Sequence, residues 1–385
     1  MAICSRCIVP ENFPKNEMHY GICSFCRLNE EKLGNKSKVN RETELLSMLK
    51  NTNHDKYDCI VPVSGGKDST YILYYLVKNL KLNPLAFYFD NGYATDDAIH
   101  NVEEICRKMN VDLVKRPASK YRMKLIREAW FISLYTGKIS NFCGNCENNL
   151  RTTAIQEALK HNIKNIVWGS TDYEDSPDSF LNPVSSRSYR NSFAGNFNLK
   201  RISTLYRKSV GWLFPEENIS AKAKLKALIH RFMYLHYYVM DNISQNAPEG
   251  LKKFSPYLQV SFQNKKTRTF YFYDYIPYDP INQIKILQEK AGWKAPSGRQ
   301  AKMDCALHYI SNFGDLKQTG ITNSGFKLSV LVRNGLISRE EAMMMEKKEV
   351  EFVKSYFRSE DLEIGPALQV IKDEILKNQD KKAGT

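Results

Sequence analysis

The chain has 385 residues, 42% of them hydrophobic and 25% charged, with 56 Lys and Arg against 42 Asp and Glu for a formal net charge of +14. That length exceeds a single small module and suffices for two or three buried cores, while no apolar run approaches the roughly 18 residues of a membrane span. The first thirty residues carry charges and paired cysteines where a secretory signal would carry an apolar stretch, so a cytoplasmic protein is expected. In that compartment nine cysteines point to metal binding or catalysis rather than disulfides. The positive balance points to an anionic partner: nucleic acid, a membrane surface or a phosphate-rich small molecule.

Cys4-x-x-Cys7 and Cys23-x-x-Cys26 are separated by fifteen residues. Two tight knuckles at that spacing present four thiolates to one tetrahedral ion, so residues 1–35 read as a structural zinc ribbon whose folding energy comes from the metal. Cys59-Ile60-Val61-Pro62-Val63 is a short apolar strand, followed at once by Ser64-Gly65-Gly66-Lys67-Asp68-Ser69 and a helical run beginning at Thr70. Two glycines let the backbone approach an anion, and the helix aims its free N–H groups and positive end at the same point. Ser64 and Ser69 add hydroxyls and Lys67 a cation. Asp68 beside phosphate needs an intervening cation and is read as a Mg²⁺ ligand. The spacing is not that of Walker A.

Further strands are expected at Pro84–Asp90, Val111–Val114 and Ile163–Trp168, separated by helical patterns over Asp96–Met109 and Thr152–His161. This alternation predicts an α/β domain over residues 50–185 with a doubly wound parallel sheet and its ligand site at the carboxyl ends of the strands. The hexamer, Asp90-Asn91-Gly92 and Gly169-Ser170-Thr171-Asp172 all fall at such ends and can face one nucleotide.

Cys143-x-x-Cys146 stands apart from the first four cysteines. Cys59 and Cys106 lie in apolar or amphipathic elements and read as small core residues. Cys143, Cys146 and Cys305 can converge on a [4Fe-4S] cluster with one open iron; adding His308 would suit a second zinc, and two unrelated thiol sites is the third reading.

Residues 186–275 hold 15 Lys and Arg against five acidic residues, and 18 of the chain's 45 aromatics, including Trp212 and Phe270-Tyr271-Phe272-Tyr273. Basic residues interleaved with aromatics permit stacking and phosphate contact; a core with a solvated charged face is the plainer reading. Ala221–Met240 has the period of a packed amphipathic helix. A mainly helical region is expected over 276–385, where Ser338 and Glu341 have the spacing of a capping box.

Ser64–Ser69 resembles the signature of the PP-loop ATP pyrophosphatases, a superfamily that includes tRNA thiolases, asparagine synthetase and GMP synthetase. The resemblance implies an enzyme that cleaves ATP between the α and β phosphates, adenylates an acceptor oxygen and lets a nucleophile displace AMP. It also implies an ATP site of Ser64, Gly65, Gly66, Lys67, Asp68, Ser69, Asp90 and Gly169, with Lys67 and Asp68 catalytic.

The succession Asp274–Asp279, Gly292-Trp293-Lys294-Ala295-Pro296, the Cys305 segment and Ser338-Arg339-Glu340-Glu341-Ala342 is similar to the distal half of the N-acetyl sugar amidotransferases. That likeness implies conversion of the acetamido group of a nucleotide-activated N-acetyl sugar to an acetamidino group, for lipopolysaccharide, other surface polysaccharide or flagellar glycan. Ammonia would come from a partner glutaminase through a cyclase-like subunit. The superfamily implies a homodimer. The alternative is sulfur transfer: Cys143, Cys146 and Cys305, with Arg151 after the pair, resemble in order the cluster ligands of tRNA thiolases, with tRNA as partner.

Overall fold

The structure, a computed structural model, describes residues 2–14, 16–33, 41–50, 56–118, 144–171, 267–294, 304–305 and 308–358. Five parallel strands form one sheet in the order β3-β2-β1-β4-β5: β1 (Cys59–Pro62), β2 (Pro84–Asp90), β3 (Leu113–Pro117), β4 (Asn165–Trp168) and β5 (Arg268–Tyr271). The chain builds outward from β1 to β3, then returns to the other side of β1. This places the topological switch beside β1, whose carboxyl end carries the glycine hexamer.

The helices before the third strand are α1 (Ser24–Leu33), α2 (Glu42–Leu49), α3 (Lys67–Lys78) and α4 (Asp96–Met109). Ala86 and Tyr88 of β2 face a core built with α2, α3 and α4, whereas Leu85 and Phe87 face a second core built with α5 (Gly144–Lys160). Alternation along one strand thus feeds both layers. β1 and β4 are buried throughout, as strands covered on both faces must be. Helix α4 begins on Thr95, whose hydroxyl accepts from the Ala98 N–H, and ends on left-handed Asn110; both caps satisfy terminal backbone groups.

The doubly wound parallel α/β domain expected from the sequence is present, with differences of boundary; β4, for one, starts at Asn165 rather than Ile163. The fifth strand comes from Arg268–Tyr271, inside the stretch read as a basic aromatic insertion; its basic and aromatic side chains there serve pairing and packing. Arg268 donates to the Asn165 carboxamide oxygen at 2.9 Å, and Asn165 donates to the carbonyls of Leu49 and Asp58. The third strand starts two residues later than expected, because Val111 is used to leave the left-handed turn, its N–H donating to the Cys106 carbonyl. Helix α5 starts at Gly144 rather than Thr152 and so includes Cys146.

The distal chain adds α6 (Pro280–Ile286), which continues into a π turn over Leu287–Ala291, then α7 (His308–Thr319), α8 (Asn323–Arg333) and α9 (Arg339–Phe357). The Ser338–Glu341 capping box forms as expected. The four ribbon cysteines, with Ile8, Val9, Phe13 and Phe25, share one core with Ile321, Phe326, Leu328, Val330 and Ala342. The expected Ala221–Met240 helix and nearly all of the basic region lie outside the described residues, and no helix among those described is long and apolar enough to cross a membrane.

Candidate functional site

The hexamer turns between β1 and α3 on Gly65, at φ +81°, where an added Cβ would run into the Ala98 carbonyl. Left-handed backbone and close approach both demand glycine there. The turn is held internally: the Ser64 N–H donates to the Ser69 hydroxyl at 3.1 Å, and the Thr70 hydroxyl to the Gly66 carbonyl at 2.8 Å. Gly66 is the N-cap of α3 and has no side chain to cap it, so the positive end of the helix faces the loop, as suits an anion. Gly169, at the end of β4, packs against this first turn; a Cβ there would lie 3.1 Å from Ile72 and 3.7 Å from the Ser69 nitrogen.

Lys67 donates to both carboxylate oxygens of Asp68, at 2.6 and 2.7 Å, and to the Tyr278 hydroxyl at 2.7 Å. Tyr278 packs edge-on against Tyr273. The distal chain therefore reaches the phosphate loop directly. It does so a second time through Trp293, whose indole N–H donates to the Gly65 carbonyl at 2.9 Å; Asn101 of α4 donates to the same oxygen and pairs with the backbone of Lys294. Tyr278, Trp293 and Asn101 were not singled out as site residues from the sequence. Their signal was faint: an aromatic-rich stretch and a Gly-Trp pair far along the chain.

Asp90, at the end of β2, accepts from the Gly92 N–H at 2.7 Å, so its carboxylate shapes the turn that presents Asn91. The Asn91 carboxamide N–H donates to Cys146 Sγ and to Cys305 Sγ, each at 3.6 Å. Asp304, next to Cys305, reaches the glycine loop: a Cβ on Gly66 would lie 3.9 Å from its carboxylate. Cys146 on α5 and Cys305 on the distal chain, 159 positions apart by number, thus meet beside the nucleotide loop. Both are half-buried. Partly accessible soft ligands with a shared amide donor suit a thiolate-bound metal centre, and the donor set fits two of the three expected ligands of an iron–sulfur cluster. Cys143 and Asp172 lie outside the described residues. His308 does not join the thiols; its ring lies 3.4 Å from the Ser324 hydroxyl, and Cys146, Cys305 and His308 are not gathered within ligand distance of one another. Arg151, one turn and a half beyond Cys146, stacks over the Trp168 ring at 4.5 Å. Cys59 and Cys106 are buried, and burial pushes the Cys59 thiol well above its ordinary range and Cys106 up to about 12, as expected of core residues.

The ribbon sulfurs of Cys4, Cys7, Cys23 and Cys26 all lie within 4.8 Å of one another and are buried. They can hold a metal ion, and a closed four-thiolate site suits structural zinc. Hydrogen bonding from Cys23 and Cys26, helped by the Arg333 guanidinium, brings the Cys7 thiol down to about 7. Arg333 donates to Cys7 Sγ at 3.7 Å, and Arg339 to the carbonyls of Cys4 and Cys7. Both arginines belong to the distal helices.

A parallel sheet with a glycine loop at its switch point defines an α/β domain of PP-loop type. Residues 58–191 match the family model of the phosphoadenosine phosphosulfate reductase domain. Over 182 residues the chain is 30% identical to Uncharacterized protein MJ1599 of Methanocaldococcus jannaschii, an alignment covering 42% of this chain. The chain spans 65% of that relative's length. Among solved structures it is similar to the U34-tRNA thiolase NcsA from Methanococcus maripaludis with its [4Fe-4S] cluster, at 14% identity and a TM-score of 0.27, over 69% of this chain and 87% of that one. A superposition that loose transfers no residue roles.

Proposed function

We propose that the protein is an ATP-dependent sulfur transferase. An acceptor carbonyl oxygen attacks the α-phosphorus of ATP, the bond to the β-phosphate oxygen breaks and pyrophosphate leaves. Sulfide then attacks the activated carbon, the carbon–oxygen bond breaks and AMP departs with the oxygen, leaving a thiocarbonyl. The observation that carries this reading is the Asn91 carboxamide, 3.6 Å from both Cys146 and Cys305, which gathers two thiols at the strand end next to the phosphate loop. A [4Fe-4S] cluster held by Cys143, Cys146 and Cys305 would supply binding and delivery of the sulfide.

The chain's own groups have definite tasks. Lys67 and the α3 amides would stabilise charge on the departing pyrophosphate, Asp68 would hold Mg²⁺, and Asp90 and Gly169 would border the nucleotide. The excess of ten positive charges in residues 186–275 favours a polyanionic acceptor, a base carbonyl of tRNA. Amidation of a nucleotide-activated N-acetyl sugar is the second reading. It shares the first half-reaction, and the Gly292-Trp293 segment that carries that resemblance holds the Gly65 carbonyl of the loop; ammonia from a partner glutaminase would replace sulfide.

Anaerobically purified protein should contain iron and acid-labile sulfide in addition to zinc, and Cys305→Ala should lose the iron while keeping the zinc. ATP-to-AMP turnover should depend on tRNA and sulfide. Zinc alone, with turnover dependent on a nucleotide-sugar and ammonia, would overturn sulfur transfer in favour of amidation. Lys67→Ala and Asp68→Ala should each abolish pyrophosphate release with zinc content unchanged; retained ATP cleavage in both would remove the loop from catalysis.

A further inference from the structure

Tyr88 lies on β2 two residues before Asp90, so the two side chains leave the same face of the sheet. It is 6% exposed. Its hydroxyl is one of four buried side-chain polar atoms with no hydrogen-bond partner among the described residues, and it alone of the four lies beside the thiol pair. Asp90, Cys305, Asp304 and Cys146 are its charged or titratable neighbours. An ordinary phenol is an O–H donor across the physiological range. A buried hydroxyl without a partner carries its full desolvation penalty, and such groups in folded proteins call for an explanation. Phenylalanine would fill the same core position without that penalty. The neighbours supply the explanation: two half-buried sulfurs that already share the Asn91 amide beside the phosphate loop.

We propose that the Tyr88 hydroxyl is the second donor, with the Asn91 carboxamide, of a cradle for a sulfur-bearing anionic group held by Cys146 and Cys305. Tyr88 is then a binding residue for that group, not a scaffold residue. The inference rests on the sulfur-transfer reading and adds to it a residue that touches the sulfur.

The test is Tyr88→Phe in the full chain, compared with wild type in metal-free form and after anaerobic reconstitution with ferrous iron and sulfide. The metal-free variant should unfold at the wild-type temperature or above it, because no partner is lost. The reconstituted variant should show a more negative reduction potential, since a donor to sulfur favours the reduced centre, or should fail to retain iron that wild type retains. A lowered unfolding temperature in the metal-free variant would reveal a structural partner and overturn the inference. So would equal iron content together with an unchanged potential. Both of these leave sulfur transfer standing, whereas wild-type protein that takes up neither iron nor sulfide overturns sulfur transfer and the cradle together.

Discussion

Gly65 is the residue on which the phosphate loop turns most sharply. With φ at +81° and the Ala98 carbonyl against it, Gly65→Ala should cost stability of roughly 1–3 kcal/mol from backbone strain and abolish ATP binding, read by denaturation and by nucleotide titration. Trp293→Phe removes the indole donor to the Gly65 carbonyl and trims a buried ring. A loss of roughly 1–3 kcal/mol is expected, one hydrogen bond plus lost packing, together with weaker ATP binding; unchanged affinity would make the indole a packing group. Tyr278→Phe should leave the fold intact but release Lys67 from its hydrogen bond to the Tyr278 hydroxyl, slowing pyrophosphate release while the unfolding temperature holds. The hexamer itself was legible in the sequence because its chemistry is contiguous. Tyr278, Trp293 and Asn101 were not, because they reach the loop from more than thirty residues away or from the distal half of the chain, and no local pattern marks an acceptor for them.

At the scale of elements, the parallel α/β alternation was readable from apolar runs and helical periods, since β1 and β4 are buried throughout and α3 and α4 pack buried faces on the sheet. The fifth strand was not: Arg268 stays exposed and Tyr271 is only partly covered, so no buried pattern marks their pairing with Asn165 and Trp168. The pairing of Cys146 with Cys305 depends on α5 and the distal chain meeting at Asn91. Spacing alone left that convergence as one of three readings.

The distal helices hold desolvated acids of their own: Asp315 is fully buried and Glu346 half-buried. Glu346 of α9 accepts from the Thr322 N–H and hydroxyl, at 2.8 and 2.6 Å, and burial nevertheless pushes its carboxyl up to about 7. Asp315 of α7 is likewise pushed up to about 7 by burial. For a carboxyl whose folded value is raised, the native state holds its proton longer, so the stabilisation is complete below the unfolded value and is lost as pH rises through about 7. The zinc-loaded protein should therefore be less stable at pH 8 than at pH 6. Glu346→Gln should flatten that dependence, with a gain at pH 8 on the order of 1–2 kcal/mol. An unchanged profile in thermal denaturation would show that the acid is ionised in the fold.

Over the whole molecule, the excess of positive charge is concentrated in residues 186–275, and salt separates the two kinds of acceptor. A tRNA acceptor contacted by several of these side chains should bind with an affinity that falls steeply with salt, roughly one log unit per log unit of salt for each phosphate neutralised. A nucleotide-sugar with two phosphates would show a shallow slope. Removal of a metal ion held by Cys4, Cys7, Cys23 and Cys26 should act far from the ribbon as well as within it. Arg333 and Arg339 anchor α8 and α9 to the metal knuckles, so chelation or Cys7→Ala should raise amide hydrogen exchange across both helices; protection retained there would confine the metal's role to residues 1–35.

The ribbon's partner helices also set an order of events during synthesis. Phe13 stacks on Phe326 and Phe25 meets it edge-on, so one segment completes its packing against another that emerges some three hundred residues later. At about 5–20 residues per second that is an interval of tens of seconds. Throughout it, metal capture is the one source of order the ribbon can supply by itself, while its apolar face waits for the distal helices. Zinc supply during translation, rather than after it, would then govern how much of the chain reaches the native fold.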